Sequence, residues 1–317
     1  MKLAWRRLFP FLSWPWLTSD LLRGEALAGL TVGLMVIPQG VAYAGLAGMP
    51  LVTGIYASML PALIAGLFSA STRLSVGPTA LTCLLVNASL TGLAEPGSGR
   101  WIEMAVLLSF LAGTLQIVLG FMRFGWLLNL VSAPVLMAFT QAAAVLIVAS
   151  QLPTLLGMSK GGQGLSSIEA LHAPSIIFGL VSLLILALVR RWRPAFPTVL
   201  LVVIVAAGIS IVIGFAAGGG VVVGPLQKGL PTLSLPAFPD LSLLGKLAMP
   251  ALAITLVSFL ETASSAKVDN EREGRHWDQD QDLIGQGAGK IAAGFCGAFP
   301  TSASFSRSAL NCVFRRS

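Results

Sequence analysis

The sequence is poor in charge, and this scarcity excludes an ordinary soluble protein. Only 10% of its 317 residues are Asp, Glu, Lys or Arg, against about 25% in an average soluble domain. Hydrophobic residues make up 55% of the chain and the mean hydropathy is +0.84. Apolar runs of spanning length recur from Leu27 onward, and no small-residue cleavage site follows the first of them. We therefore expect an integral membrane protein that retains its first span.

Residues that usually carry enzyme chemistry are also few. Cys83, Cys296 and Cys312 lack metal-ligand or disulfide spacing and lie in apolar runs, which predicts packing roles. His276 has no neighbouring ligands that would form a metal site. Because no nucleotide-binding loop, catalytic triad or metal cluster is recognisable, we expect neither an enzyme nor a cofactor. The net charge of +7 forms no continuous basic face, so we expect no nucleic-acid partner.

Hydrophobic runs bounded by Gly, Pro or charge predict about ten membrane segments, some of them too short to span alone. Their approximate limits are 26–47, 51–69, 77–93, 102–122, 126–150, 174–189, 196–217, 247–266, 283–298 and 302–314. The charged connector from Lys267 to Asp282 is interpreted as a solvated cytoplasmic turn.

The distribution of basic residues orients these segments. With a cytoplasmic N-terminus, four basic residues fall outside: Arg100, Lys160, Lys228 and Lys246. Twelve fall inside: Lys2, Arg6, Arg7, Arg23, Arg73, Arg123, Arg190, Arg191, Arg193, Lys267, Arg272 and Arg275. This excess of cytoplasmic positive charge supports the orientation and the number of segments. We expect a multi-pass protein of the plasma membrane, or of the inner membrane in a bacterium.

The stretch from Gly297 to Asn311 sets a proline, five hydroxyl residues and an arginine inside apolar sequence. Pro300 should break the preceding chain, and the small hydroxyl residues after it can cap a new helix that begins partway through the membrane. The free N–H groups and positive dipole at such a helix start attract anions. The stretch therefore predicts an anion-binding site.

A second stretch, Ser75 to Ala80, again places Gly-Pro and hydroxyl residues before a short apolar run. If the two helix starts face each other near the middle of the membrane, two positive dipole ends converge on one point. Such an arrangement would bind an anion.

Two ionisable residues inside the segments are candidates for function. Arg307, a turn into the last segment, can add a permanent positive charge to the helix start, unless it extends to the cytoplasmic surface with Arg315 and Arg316. Glu261 is the deepest acid, suited to carry a proton or face a bound cation. A purely structural salt bridge from Glu261 to Lys290 or Arg307 is the alternative.

The first segment carries polar residues beside Pro38. Gln39 and Tyr43 are four residues apart, share a helix face and could point toward one cavity. Its glycines are interpreted as close-packing positions. Four further polar residues are interpreted as hydrogen-bonding partners between helices rather than ligands: Asn87, Gln116, Asn129 and Gln141.

The motifs together resemble the sulfate permease (SulP) family over nearly the full chain. Five motifs occur in the family's order: Ile37 to Tyr43 with Gly54 to Tyr56, Thr72 to Pro78, Ser258 to Thr262, Gln281 to Gln286, and Gly297 to Asn311. The resemblance implies an all-α membrane protein with an inverted 7+7 transmembrane repeat, divided into core and gate domains and followed by a cytoplasmic STAS domain.

The resemblance also implies a substrate site between the starts of the third and tenth segments. Carried onto this sequence, its residues are Gln39, Tyr43, Thr79, Ala80, Ser304, Ser306 and Arg307, with Glu261 linked to ion coupling. Residues 1–25 would be a cytoplasmic segment, 26–217 the first repeat, and 247–317 the start of a second repeat without its last four segments or the STAS domain. We therefore expect a fragment of a transporter.

The implied function is secondary active transport of sulfate or a similar small inorganic anion, by proton-coupled uptake or anion exchange through an elevator motion. A coupling proton or sodium ion and a homodimer of the full-length protein are the expected partners besides the lipid bilayer. Two alternatives stay open at this point: a nucleobase permease of the same fold, and a membrane fragment that binds anions without transporting them.

Overall fold

A computed structural model describes residues 9–13, 18–71, 74–130, 133–157, 172–192, 198–220, 222–227, 229–233, 241–272, 274, 277–305 and 307–308. Within these ranges the chain is mostly helical. The helices are α1 (Ser19–Leu46), α2 (Val52–Tyr56), α3 (Leu60–Phe68), α4 (Ala80–Leu90), α5 (Gly99–Phe121), α6 (Ala133–Leu155), α7 (Ala173–Trp192), α8 (Thr198–Val212), α9 (Leu241–Arg272) and α10 (Gln279–Phe295). Short 3-10 helices occur at Pro10–Ser13 and Phe124–Leu130.

The first nine predicted segments correspond to helices, and the second and tenth segments need correction. The second segment is divided into α2 and α3, because the chain turns at residues 57–59 and Pro61 begins a new helix. The tenth was predicted to be helical from residue 302, but Ser302 and Ala303 form a strand and helical backbone begins at Phe305. Residues 309–314 of that segment lie outside the described residues.

Two strands not anticipated from the sequence join the two predicted helix starts. Strand β1 (Val76–Gly77) pairs antiparallel with β2 (Ser302–Ala303), so that Val76 is opposite Ala303 and Gly77 is opposite Ser302. Residues 78–79 lead from β1 into α4, and β2 leads into the turn that carries Arg307. The pairing therefore holds two distant parts of the chain together within the anion-site motifs.

Side-chain caps fix the starts of three helices. Thr79 accepts a hydrogen bond from Thr82 N ahead of α4, and Ser98 caps α5 in the same way. Asp278 accepts from Gln281 N ahead of α10. Each cap satisfies a backbone N–H that has no partner within the helix, which explains why these helices begin where they do.

Helices α5 and α10 pack with their backbones in contact. A Cβ atom added to Gly113 would lie 2.8 Å from Gly287 O, and one added to Gly287 would lie 2.6 Å from Gly113 O. Only glycine permits such an approach, which is typical of helix pairs in membranes. The close contact brings the polar side chains of α5 and α10 within hydrogen-bonding distance of each other.

The chain divides into two compact units. One contains residues 1–138 and 227–317, and its core includes Trp101, Leu108, Ile254 and Phe299. The other contains residues 139–226, with α7 and α8 in contact. Many large apolar side chains of this second unit are exposed, including Leu184 and Ile211, as expected of surfaces that face lipid.

By length and composition, three of the described helices could cross a membrane: Gly99–Phe121, Met137–Leu155 and Leu241–Lys267. Five shorter apolar helical stretches of 10–17 residues accompany them. Short helices of this kind agree with the expectation that some segments are too short to span alone.

Candidate functional site

The candidate site lies around the β1–β2 pair, where the structure brings together most of the residues singled out from the sequence. We call the residues of this region the cradle: β1, β2, the residues that follow each strand, and the facing side chains of α1 and α9. Backbone hydrogen bonds close it, since Ser304 N donates to Ser75 O at 2.9 Å and Ser75 N donates to Ser308 Oγ at 3.0 Å. The chain segments that lead into the two helix starts thus meet, as expected from the two motifs of proline and hydroxyl residues.

Arg307 is the central cation of the cradle. Its side chain is only 2% exposed, and the guanidinium donates from Nη1 to Pro78 O at 3.0 Å and from Nε to Ser75 Oγ at 3.3 Å. A buried guanidinium held in this way does not extend to the cytoplasmic surface, so that alternative is wrong. The arginine ties the chain after β2 to the chain around β1.

One nitrogen of this guanidinium has no hydrogen-bond partner among the described residues. The Nη2 atom is buried beside Gly77, where an added Cβ would lie 3.0 Å from it. The absence of a side chain at Gly77 therefore lets the guanidinium lie against the backbone of β1. Because an unpaired buried N–H of a cation is costly, this atom is available to an anionic ligand.

Helix α1 contributes two polar side chains on one face, as the spacing predicted. Gln39 Nε2 donates to Tyr43 Oη at 3.0 Å, and Gln39 Oε1 accepts from Arg307 Nη1 at 3.3 Å. The amide of Gln39 therefore links the phenol of Tyr43 to the guanidinium. These bonds fix the orientation of all three groups.

Glu261 reaches the cradle from α9. Thr79, the N-cap of α4, donates from Oγ1 to Glu261 Oε2 at 3.1 Å, and Thr82 Oγ1 lies 3.5 Å from the same oxygen. Among the described residues, Glu261 makes no ion pair within 4.0 Å to either Lys290 or Arg307. The structural salt bridge weighed from the sequence is absent, and the carboxylate is instead held by threonine hydroxyls.

The remaining residues of the predicted site are placed as follows. Ala80 begins α4 and is buried, next to the capping Thr79. Ser304 is buried after β2, and its backbone N–H is used in the closure of the cradle. Ser306 lies outside the described residues, as do His276, Arg315 and Arg316.

Of the four polar residues interpreted as partners between helices, two are confirmed in that role. Asn87 Nδ2 donates to Leu46 O at 2.9 Å, and Gln116 accepts from Lys290 Nζ at 2.6 Å. Gln141 is exposed, and the side chain of Asn129 is not among those described.

Sequence reasoning missed two buried charged residues near the cradle. Lys290 was considered only as a partner of Glu261, although a lysine among glycines and alanines inside a predicted segment is itself a signal of function. Asp282 was assigned to a solvated turn, which is wrong, because it is wholly buried and accepts hydrogen bonds from Ala70 N, Ser71 N and Trp277 Nε1. The motif from Gln281 to Gln286 contains Asp282 and none of the other acids of that connector, so it was the signal that could have distinguished this residue.

The geometry can bind an anion but offers little for bond chemistry. A buried cation with one free nitrogen lies next to a carboxylate, hydroxyl groups and the start of α4. No group of three or more His, Cys, Asp or Glu suited to a metal occurs among the described residues. The cradle thus has the features of a ligand-binding site for a small anion.

Comparisons with known proteins agree with this chemistry. The model of the sulfate permease family matches residues 22–314. A Mycobacterium tuberculosis protein named "Probable sulfate transporter" is 35% identical over 299 residues, covering 91% of this chain and 53% of that protein. The chloroplastic sulfate transporter 4.1 of Arabidopsis thaliana is 33% identical over 322 residues, covering 96% of this chain and 47% of that protein. The chain thus spans about half the length of these relatives.

A solved structure shows the same fold. Murine solute carrier 26 family member A9, an anion transporter in the inward-facing state, matches with a TM-score of 0.88 and 23% sequence identity, over 99% of this chain and 57% of that chain. At this identity the likeness establishes the fold alone. The family model and the curated relatives establish the rest: this chain is a membrane protein that belongs to the sulfate permease family.

Proposed function

We propose that this chain provides the substrate site of a secondary active transporter for sulfate or a similar small inorganic anion. The observation that carries the proposal is Arg307, a buried guanidinium whose Nη2 lies beside Gly77 and has no hydrogen-bond partner among the described residues. An arginine in this setting is suited to a bidentate or branched contact with an oxyanion. The sulfate transporters among the relatives support this ligand class.

The proposed substrate-binding residues are those predicted from the family motifs. They are Gln39, Tyr43, Thr79, Ala80, Ser304, Ser306 and Arg307, with Glu261 as the ion-coupling group. The contacts from Arg307 to Gln39 and from Thr79 to Glu261 support this set, because they hold its cation and its carboxylate in the same cradle.

The proposed transport mechanism follows from membership of the sulfate permease family. Residues 26–217 would form the first inverted repeat and residues 247–317 the start of the second, and the substrate site would move relative to a gate in an elevator motion. The coupling ion would be a proton or sodium, or a second anion would be exchanged. The protein would lie in the plasma membrane, or the inner membrane in a bacterium, as a multi-pass homodimer with a cytoplasmic N-terminus.

Binding and flux measurements on the purified chain test this proposal. Scintillation proximity with labelled sulfate in lipid nanodiscs should show saturable binding that unlabelled sulfate displaces and uracil does not. Sulfate accumulation by liposomes that contain the chain would support transport. Binding without flux would instead support a membrane protein that binds anions without moving them, and uracil binding in place of sulfate would support a nucleobase permease.

We expect Glu261→Gln to retain sulfate binding but to abolish proton coupling. The glutamine amide oxygen can still accept from Thr79, so this hydrogen bond is kept, while the side chain can no longer change its charge. The measurement is sulfate uptake into liposomes that carry a pH-sensitive dye. Glu103→Gln, a change at an exposed acid of α5, is the matched control and should leave both signals intact. Proton movement that persists in Glu261→Gln would show that the carboxylate is structural.

A further inference from the structure

Lys290 is a second buried cation near the cradle, and the binding site proposed above does not use it. It lies on α10 with no exposed surface, and its Nζ donates to Gln116 Oε1 of α5 at 2.6 Å and to Ser258 Oγ of α9 at 2.7 Å. Two of the three N–H groups of an ammonium are thereby satisfied. The lysine is thus held rigidly at the junction of three helices.

Hydrogen bonds satisfy the ammonium but do not neutralise it. Lys290 makes no ion pair within 4.0 Å among the described residues. The nearby carboxylate of Glu261 interacts with it electrostatically, yet is hydrogen-bonded to Thr79 instead. A charge buried without a direct counter-ion is costly in a membrane protein, and such charges usually serve a ligand or a pathway. The lysine therefore requires a functional explanation.

A short chain of hydrogen bonds joins Lys290 to the cradle. Ser258, which accepts from the ammonium, also accepts from Ser302 Oγ at 2.9 Å. Ser302 belongs to β2 and is paired with Gly77, beside which the unpaired Nη2 of Arg307 lies. The ammonium is therefore two hydrogen bonds from the strand that borders the proposed anion, within a buried region where Coulomb interactions are weakly screened.

We propose that Lys290 sets the preference of the cradle for divalent over monovalent oxyanions. The inference rests on the anion binding proposed above, and it treats Lys290 as a positioning charge that acts through its field without touching the ligand. Among the described residues, the basic and carboxyl groups in and next to the cradle are then two basic side chains, Lys290 and Arg307, and one carboxyl, Glu261. Because Coulomb energy scales with the charge of the ligand, a dianion gains twice the free energy that a monoanion gains from the additional cation.

This doubling gives the proposal a signature that a structural role would not produce. Removal of the Lys290 charge should weaken the binding of a monoanion about threefold and that of a dianion about tenfold, since the second factor is the square of the first. Sulfate and perchlorate are suitable probes because both are tetrahedral oxyanions and they differ in charge. A general loosening of the site would weaken both to a similar extent.

The test compares dissociation constants of sulfate and perchlorate for the whole chain in nanodiscs. Lys290→Gln removes the charge, and Lys290→Arg retains it. Gln116→Glu keeps the lysine but places a compensating carboxylate against it, so it removes the net charge without deleting the hydrogen-bonded partner. We expect the sulfate-to-perchlorate preference to fall about threefold in Lys290→Gln and in Gln116→Glu, and to persist in Lys290→Arg.

The outcomes separate this inference from the proposed function. Thermal unfolding identifies the variants that fold. If Lys290→Gln does not fold, the anion preference of Gln116→Glu tests the inference in its place. An unchanged preference in a folded variant without net charge at this position would overturn the inference while leaving anion binding intact. Failure of the unaltered chain to bind either anion would overturn both.

Discussion

Replacement of Arg307 by alanine is expected to weaken sulfate binding by about thirtyfold or more. The guanidinium is the buried cation of the cradle, and its Nη2 has no hydrogen-bond partner in the part of the chain that the structure describes. Truncation of one member of a buried charge pair costs about 2–5 kcal/mol, which corresponds to a loss of roughly 30-fold to several thousandfold in affinity. The same labelled-sulfate binding assay in nanodiscs measures the effect.

Two further variants control this experiment. Arg307→Lys keeps the charge but loses the planar fork that bonds Pro78 O and Ser75 Oγ, so we expect a loss smaller than that of alanine. Arg100→Ala removes an exposed arginine at the start of α5 and should leave affinity unchanged. Because Arg307 also joins the chain after β2 to the chain around β1, thermal unfolding must accompany the binding data. A folded Arg307→Ala protein with unaltered affinity would contradict the assignment of the site.

Local spacing was sufficient to predict some parts of the cradle. The i, i+4 relation of Gln39 and Tyr43 places both on one helix face whatever the rest of the chain does, and the structure shows their hydrogen bond. The Gly-Pro-Thr sequence indicated a helix start, and Thr79 caps α4. Such features depend on a few neighbouring residues and can be read from the sequence.

Other parts depend on contacts between distant residues and could not be predicted in this way. Strands β1 and β2 have two residues each, too few to show an alternating pattern, and their pairing joins Val76 to Ala303. Whether Arg307 is buried or reaches the surface also depends on this pairing, because the pairing brings Arg307 to Ser75 and Pro78. Asp282 lies in the motif from Gln281 to Gln286, but its burial depends on the distant loop after α3, whose backbone N–H groups donate to it.

The family resemblance supplied what local patterns could not. It related the segment starts to one another and gave the fold, which the solved structure of a family relative supports with a TM-score of 0.88. It did not reveal Lys290, since that residue is outside the five motifs on which the resemblance was based. The presence of a second buried cation near the cradle is therefore seen only in the contacts of the structure.

Asp282 anchors the chain that leads toward β1. Its Oδ1 accepts from Ala70 N at 2.8 Å and from Ser71 N at 3.0 Å, while Oδ2 accepts from Ser71 Oγ and from Trp277 Nε1. The carboxylate thereby fixes the loop after α3 against the first turn of α10. Position in that first turn, near the positive end of the helix dipole, further favours its negative charge.

We expect Asp282→Asn to lower the unfolding free energy by about 2–4 kcal/mol, although it changes the size of the side chain little. An asparagine has one acceptor oxygen and one donor nitrogen. If the oxygen faces Ala70 N and Ser71 N, the new N–H₂ group faces the indole N–H of Trp277. If the amide is flipped, its N–H₂ group faces the two backbone N–H donors instead. Either orientation leaves a buried donor unpaired. Thermal unfolding in detergent should show a Tm lower by about 5–10 °C.

A double-mutant cycle separates this cause from a general loss of charge. Trp277→Phe removes the indole donor, so Asp282→Asn should cost less in that background than in the unaltered chain, by about 1–2 kcal/mol. Asp278→Asn is the matched control, because the exposed N-cap of α10 can be asparagine as readily as aspartate. We expect the unfolding free energy of this variant to stay within about 0.5 kcal/mol of that of the unaltered chain. Strict additivity of the Asp282 and Trp277 changes would show that the donor mismatch is not the source of the loss, and that the carboxylate acts on the fold through its charge alone.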